Sequence, residues 1–445
     1  MSKKALHLTA IMLCFMATGE LYRCGGRIAE GKLAFLHVNG RKIMQERRYD
    51  VDWLRIIAML AVFLYHCTRF FDPEGWHLKN PEQSQLLFVA MRGLIWTWVM
   101  ELFFLLSGIG TWYALKSRRA WAYIWERVKR LLIPFYTVGF FVLLPIQLYF
   151  ELFTNSGYRG SFWQLILRYF DRLNLPGITQ WPSTLLPIPF SGHLWFLQYL
   201  FLISLLSLPL LLYLKSEQGK RWIARFAGWC DKPGGIFLFV IPLSLTLIGL
   251  GAIFKTRFSW ADLLWYTIFF VIGYMMAADK RFIMSIRRHG WICMALWIVG
   301  WCGLGFLVVA FGYDPYPGKE PFSLVFVLFQ TVWSITCWSA VVFVLNIGAR
   351  HLNTNHKFLV YGNEAVLPFY LFHQTIILCI GWYVIRWDIG ILTKLLIIAS
   401  VSFSLIMILY ELFVRRFNIV RFFFGMRPRK KPPAMPIPRP EGTFA

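Results

Sequence analysis

The sequence predicts an all-α polytopic membrane protein with about ten transmembrane helices and both termini in the cytoplasm. Three observations carry this prediction. The 445 residues are 58% hydrophobic and only 15% charged, with a mean hydropathy of +0.55, more apolar surface than a soluble core of this size can bury. Apolar runs of the length needed to cross a bilayer, roughly 20 residues, recur along the chain. The cations between those runs gather on alternate loops, which is how orientation in a membrane is encoded.

Taken in order, the predicted spans are 51–71, 94–115, 131–153, 194–214, 236–254, 261–278, 291–311, 322–347, 363–385 and 391–414. With both ends inside, one loop set carries Lys116, Arg118, Arg119, Arg127, Lys129 and Arg130, then Lys215, Lys220, Arg221, Arg225 and Lys232, then Lys280, Arg281, Arg287 and Arg288. The other set is poorer: Lys79 and Arg92, then Arg159, Arg168 and Arg172, then Lys255, Arg257, Lys319 and Arg386. The net charge of +24 is therefore a topology signal and does not point to nucleic acid. The eight cysteines (14, 24, 67, 230, 293, 302, 337 and 379) are dispersed, without CxxC or histidine companions, and read as small helix residues; neither a disulfide framework nor a metal site is expected.

The organisation is one membrane domain, 44–415, between an N-terminal extension, 1–43, and a basic, proline-rich cytoplasmic tail, 416–445. The extension holds ALHLTAIMLCFMATG, short for a span and signal-like, and Met44 before QERRYDVDW offers a second natural start. The tail is expected to be disordered. The outer loop 154–193 holds SFWQLILRYFDRLNLP, an amphipathic stretch suited to the membrane interface, then QWPSTLLPIPFSGH; it reads as a loop packed on the bundle or as a partial lid.

Ionisable residues at membrane depth are costly and raise a functional question, with pairing or snorkelling as the plain alternative. Arg55 and His66 stand eleven residues apart on the first span, close to three turns, so they share a face at an axial separation of roughly 16 Å. Histidine near neutrality can take a proton from a hydroxyl, which makes His66 the candidate base. Arg69 lies just beyond. On the second span, MELFFLLSGIG buries Glu101, a candidate for pairing with His66, and Ser107-Gly108, which reads as close helix packing. Arg127 and Arg130 form an RxxR ahead of the third span, either positive-inside anchors or a clamp for phosphates, which arginine forks bind bidentately. GHLWFLQYL places His193 at the outer mouth of the fourth span, and NEAVLPFYLFHQT places His373 inside the ninth with Tyr370 one turn away. Neither GxSxG, a P-loop, HExxH nor GxGxxG in a strand context is found.

Together these residues resemble the integral-membrane acyltransferase type 3 family over about 46–425. The family's arginine and histidine, ten residues between them on the first span, are matched by Arg55 and His66, and its RxxR by Arg127 and Arg130; its S-G-aromatic is departed from at Ile109. Within the family, FFDPEGWHLKN, GHLWFLQYLF and NEAVLPFYLFHQT look most like a group acting on periplasmic glucans of Gram-negative envelopes. The resemblance implies an inner-membrane O-acyltransferase. In that reading acyl-CoA (succinyl-CoA or acetyl-CoA) is held from the cytoplasm by Arg55, Arg127 and Arg130. His66, supported by His193 and Glu101, acts on a hydroxyl of a periplasmic glucan or other envelope glycan, in contact with the glucan synthesis machinery. A carboxylated acyl group would call for a nearby cation, for which Arg69, Lys79 and Arg92 are candidates. The residues alone leave two rivals open: a transporter or flippase for a sugar or lipid-linked glycan, against which no internal repeat or paired broken helices are seen, and a scaffold for a glucan synthase.

Overall fold

The computed structural model describes residues 35–38, 41–44, 48–155, 157–171, 192–254, 258–312 and 321–429. The segments ALHLTAIMLCFMATG and most of QWPSTLLPIPFSGH, and the tail beyond Arg429, lie outside the described residues, as do Cys14, Cys24, Arg172, Lys255, Arg257 and Lys319. A short antiparallel hairpin, β1 (Phe35–Val38) and β2 (Arg41–Met44), precedes the helices and was not read from the sequence.

Helices account for the rest. Among the described residues nine are long and apolar enough to cross a membrane: α1 (Tyr49–Thr68), α2 (Gln85–Ser117), α3 (Ala120–Thr154), α7 (Gly235–Ile253), α8 (Trp260–Ala278), α9 (Arg281–Phe311), α10 (Leu324–His351), α11 (Lys357–Val384) and α12 (Ile391–Val414). The predicted fourth span is α5, a pair (Gly192–Leu206 and Leu208–Lys215) bent by 51°. Pro209 explains the break, because it cannot donate to the carbonyl four residues back. Between spans lie α4 (Phe162–Asp171) and α6 (Glu217–Cys230), and α13 (Asn418–Phe423) follows the last. α4 is the amphipathic outer stretch, and its Leu165 packs against Phe140 and Leu148 of α3. Ser216, Ser323 and His356 cap α6, α10 and α11 through their side chains, and Ser259 with Asp262 forms a capping box on α8.

Two features position the site. α3 starts eleven residues earlier than the apolar run suggests, so Arg127 and Arg130 sit in the opening turns of a continuous helix rather than on a separate one. Its two π stretches, Val128–Leu132 and Phe135–Leu143, come just before Pro134 and Pro145, where the ordinary ladder loses a donor and slips by one residue. α2 and α8 run parallel in backbone contact: a Cβ at Gly108 would meet the Phe270 carbonyl oxygen at 1.9 Å, and one at Gly273 the Leu105 carbonyl oxygen at 1.9 Å. Ser107 donates to the Phe103 carbonyl at 2.8 Å within its own helix. The packing reading of Ser107-Gly108 fits both observations.

Candidate functional site

α1 and α11 also run parallel, and their pairing defines two levels. At one end Arg55 donates to the amide oxygen of Asn363 at 3.2 Å; at the other the rings of His66 and His373 meet edge to face at 5.0 Å. Between them Phe63 packs on Phe369. The eleven-residue interval on α1 is thus matched by ten on α11. With the orientation set by the loop charges, the arginine level is cytoplasmic and the histidine level lies toward the outside.

At the histidine level three chains of contact converge. His373 is fully buried; its Nδ1 sits 2.6 Å from the Tyr370 carbonyl, which makes that nitrogen the donor, and its Nε2 has no partner among the described residues. His193 stands perpendicular to His373 at 4.8 Å. Its Nε2 donates to the Leu371 carbonyl at 3.2 Å, so its Nδ1 accepts from Gln147 Nε2 at 3.3 Å. Tyr370 donates its hydroxyl to the His193 carbonyl. Gln147 also donates to Thr375 at 2.7 Å and accepts from Gln374 at 3.1 Å; Gln374 in turn donates to His77 Nε2 at 3.0 Å, and His77 Nδ1 faces Glu151 at 2.9 Å. With Nε2 donating to Leu371 and Nδ1 accepting from Gln147, His193 is a neutral ring with both nitrogens engaged. His66 differs: its Nδ1 lies 3.4 Å from the Val62 carbonyl of its own helix, and its Nε2 is committed to no neighbour among the described residues. A histidine held by Nδ1 presents Nε2 as its basic atom.

Other candidates fall elsewhere. Glu101 lies toward the outside, as expected, but faces α8: Trp265 donates to it at 3.2 Å, its second oxygen is buried without a partner, and it makes no contact with His66. In place of the candidate pairing with His66, Glu101 makes an interhelical bond near the close contacts of Gly108 with Phe270 and of Gly273 with Leu105. Arg69 is buried and spent on Asp72 at 2.5 Å and Glu74 at 2.9 Å; Lys79 pairs with Asp72 at 2.9 Å and Arg92 with Glu74 at 2.8 Å. Burial lowers the Lys79 ammonium from its ordinary value, with Asp72 opposing the shift. These cations lock the 69–80 loop, and none is left without an acidic partner.

At the arginine level cations crowd together. Arg127 donates to Thr111 at 2.8 Å and lies over the Tyr123 ring at 4.9 Å. Arg130 is accessible and lies within electrostatic reach of Arg127, Arg55, Arg427 and Arg118. Burial pushes the Arg118 guanidinium below its ordinary value, and the charges of Arg427 and Arg127 add to the shift. Glu126 offsets part of this charge by pairing with Arg118, and with Arg427 at 2.9 Å; Arg421 is neutralised by Glu364 at 2.5 Å. Arg130 has no carboxylate partner among the described residues, so the cluster is poised for an added anion.

Sequence reading did not find Asn363, Gln147, Gln374, Thr375 or His77. Gln147 and the HQT of α11 are polar residues inside apolar helices, and that cost was the available signal. Among the described residues no group of three or more His, Cys, Asp or Glu side chains is placed to hold a metal ion.

Among the described residues, nine membrane-length helices and one bent pair, with a histidine level on one side and an arginine level on the other, define a class. The acyltransferase family model matches residues 48–411, and the chain belongs to that family of integral-membrane acyltransferases. It is a multi-pass membrane acyltransferase, which sets aside the carrier and scaffold readings. Among curated proteins it is similar to the glucans biosynthesis protein C of Salmonella typhi, of Salmonella typhimurium strain LT2 and of Salmonella paratyphi B. Each is 23% identical over 417 residues, covering 86% of this chain and 96% of the relative. No solved structure matches.

Proposed function

We propose that the protein moves an acyl group, succinyl or acetyl, from cytoplasmic acyl-CoA to hydroxyls of a periplasmic glucan or other envelope glycan. It would work in the inner membrane, beside the glucan synthesis machinery. The observation that carries this reading is the double register of α1 and α11, which holds Arg55 and His66 on one face at two depths.

The donor's phosphates are held at the arginine level by Arg127 and Arg130, with Arg55 at the entrance. Its thin pantetheine arm then runs between the helices, so the thioester reaches the histidine level while the charged head stays in the cytoplasm. His66 Nε2 takes the proton of the acceptor hydroxyl; the oxygen attacks the thioester carbonyl, the carbon–sulfur bond breaks, and the CoA thiolate leaves with a proton returned from the imidazolium. An acyl-histidine on His66 is the stepwise form of the same transfer. His373 stands beside His66 with an open nitrogen, while His193, held at both nitrogens, orients the group. Glu101, bound to Trp265, takes a packing role in this scheme.

The test is His66→Ala in the full chain. O-acylation of the glycan is lost while the protein stays in the membrane, read by mass spectrometry of the glycan and by membrane fractionation. Normal acylation in that variant removes His66 from the chemistry.

A further inference from the structure

A second basic site lies at the cytoplasmic end of the bundle, apart from the arginine level. A cavity of about 390 Å³ is lined by Trp112 and Lys116 of α2, Lys215 ending α5, Lys220 and Ile223 of α6, and Ala278 and Asp279 at the end of α8. Its acidic groups are already neutralised: Asp279 pairs with Arg281 at 2.7 Å, and nearby Glu217 with Lys220 at 2.6 Å. Lys116 lies over the Trp112 ring at 5.0 Å, and Lys215 donates to the Leu115 carbonyl at 2.7 Å. Neither has a carboxylate partner among the described residues, so two ammonium charges face the cavity uncompensated. Trp112 is buried, and its indole N–H has no acceptor among the described residues. A buried donor without a partner costs free energy unless something fills the cavity and accepts from it.

Two lysines and a tryptophan with an unpartnered indole N–H among the residues that line one cavity suit a compact anion rich in acceptor oxygens. We propose that this cavity binds a phosphate group, held by Lys116 and Lys215 with the Trp112 N–H as third donor. Its setting favours the headgroup of an anionic phospholipid. α6 borders it as an amphipathic helix with Trp222 and Trp229 exposed, the placement of side chains that anchor at the headgroup level. Basic pockets between membrane helices on the cytoplasmic side take such headgroups. A soluble phosphate would offer the same oxygens.

The test uses the purified full chain in detergent and three probes: phosphatidylglycerol, phosphatidylcholine and inorganic phosphate, with binding read by native mass spectrometry and thermal shift. Phosphatidylglycerol binds the unaltered protein more tightly than phosphatidylcholine does. Lys116→Gln with Lys215→Gln weakens that binding about 25-fold, taking the field of each lysine as roughly a factor of five. Lys116→Arg with Lys215→Arg retains it, as does Lys232→Gln, which removes a cation outside the cavity. Lys116 is exposed, so Lys116→Gln alone tests the site should the pair disturb folding. The same pattern with inorganic phosphate in place of the lipid assigns the cavity to a soluble phosphate. Unchanged binding of both probes in the glutamine variants, or no binding of either by the unaltered protein, overturns the proposal.

Discussion

Gln147→Leu is the most informative single change, because it keeps the shape of a buried side chain and deletes the centre of the histidine-level network. Three hydrogen bonds disappear at once: the donations to His193 and Thr375 and the acceptance from Gln374. Within membranes each such bond contributes about 0.6 kcal/mol, and in water-exposed proteins about 1 kcal/mol, so the loss sums to about 2–3 kcal/mol. The melting temperature of the purified enzyme therefore falls by a few degrees. The catalytic effect is larger than the stability effect, since His193 loses the partner of its Nδ1 and is held beside His373 by its Leu371 bond alone. A misplacement of about 1 Å costs on the order of 100-fold in rate. The assay is steady-state transfer of labelled acyl groups to glucan in proteoliposomes, with kcat and KM for the donor separated. The expected result is a kcat loss with an unchanged donor KM, because the arginine level is untouched. Gln147→Glu keeps an acceptor for Gln374 but offers no donor to His193, and shares the kcat loss. A kcat within twofold of the unaltered enzyme, in a variant whose melting temperature has fallen, would refute the positioning argument and leave the network purely structural.

Arg127→Ala with Arg130→Ala weakens acyl-CoA binding by at least tenfold, since each charge-assisted contact contributes about 1.5–3 kcal/mol; donor binding by calorimetry checks this, and unchanged affinity returns both residues to the role of topology anchors. Asn363→Leu leaves Arg55 with Asp52 alone at 3.5 Å, and raises the donor KM with little change in kcat, the reverse of the Gln147 variant. Gly108→Ala forces α2 and α8 apart by about 1.5 Å to reach ordinary contact distance, at a cost of about 1–3 kcal/mol, visible as a lower melting temperature and poorer membrane accumulation.

The helices were legible because crossing a membrane requires long apolar runs, and nothing else in the chain imitates them. The bend in α5 was not, although Pro209 stood in the run, since a single proline inside an apolar segment leaves its total hydropathy almost unchanged. Arg55 and His66 could be placed on one face from their spacing alone, because periodicity acts within a helix. The pairing of Glu101 with Trp265 could not, because 164 residues separate them and only the packing of α2 on α8 brings them together. The same holds for Gln147 and Gln374, 227 residues apart. Neutral amides carry no charge pattern to betray a partner, and their arrangement is a property of the assembled bundle. The partners of the outer cations were equally hidden: Asp72 and Glu74 reach Arg69, Lys79 and Arg92 only when the loop folds back.

The proline in α11 changes how the paired helices behave as a mechanical unit. Pro368 falls midway between Asn363 and His373, and removes the backbone bond to the Glu364 carbonyl, while α1 runs from Arg55 to His66 without proline or glycine. One member of the pair is a rigid rod and the other a jointed arm. The break divides α11 into a lower half anchored by Arg55 to Asn363 and by Arg421 to Glu364, and an upper half tied to His193 and Gln147 through Tyr370, Leu371, Gln374 and Thr375. The spacing between the two levels is then set by the unbroken α1, and the two halves of α11 are each fastened to it or to its neighbours separately.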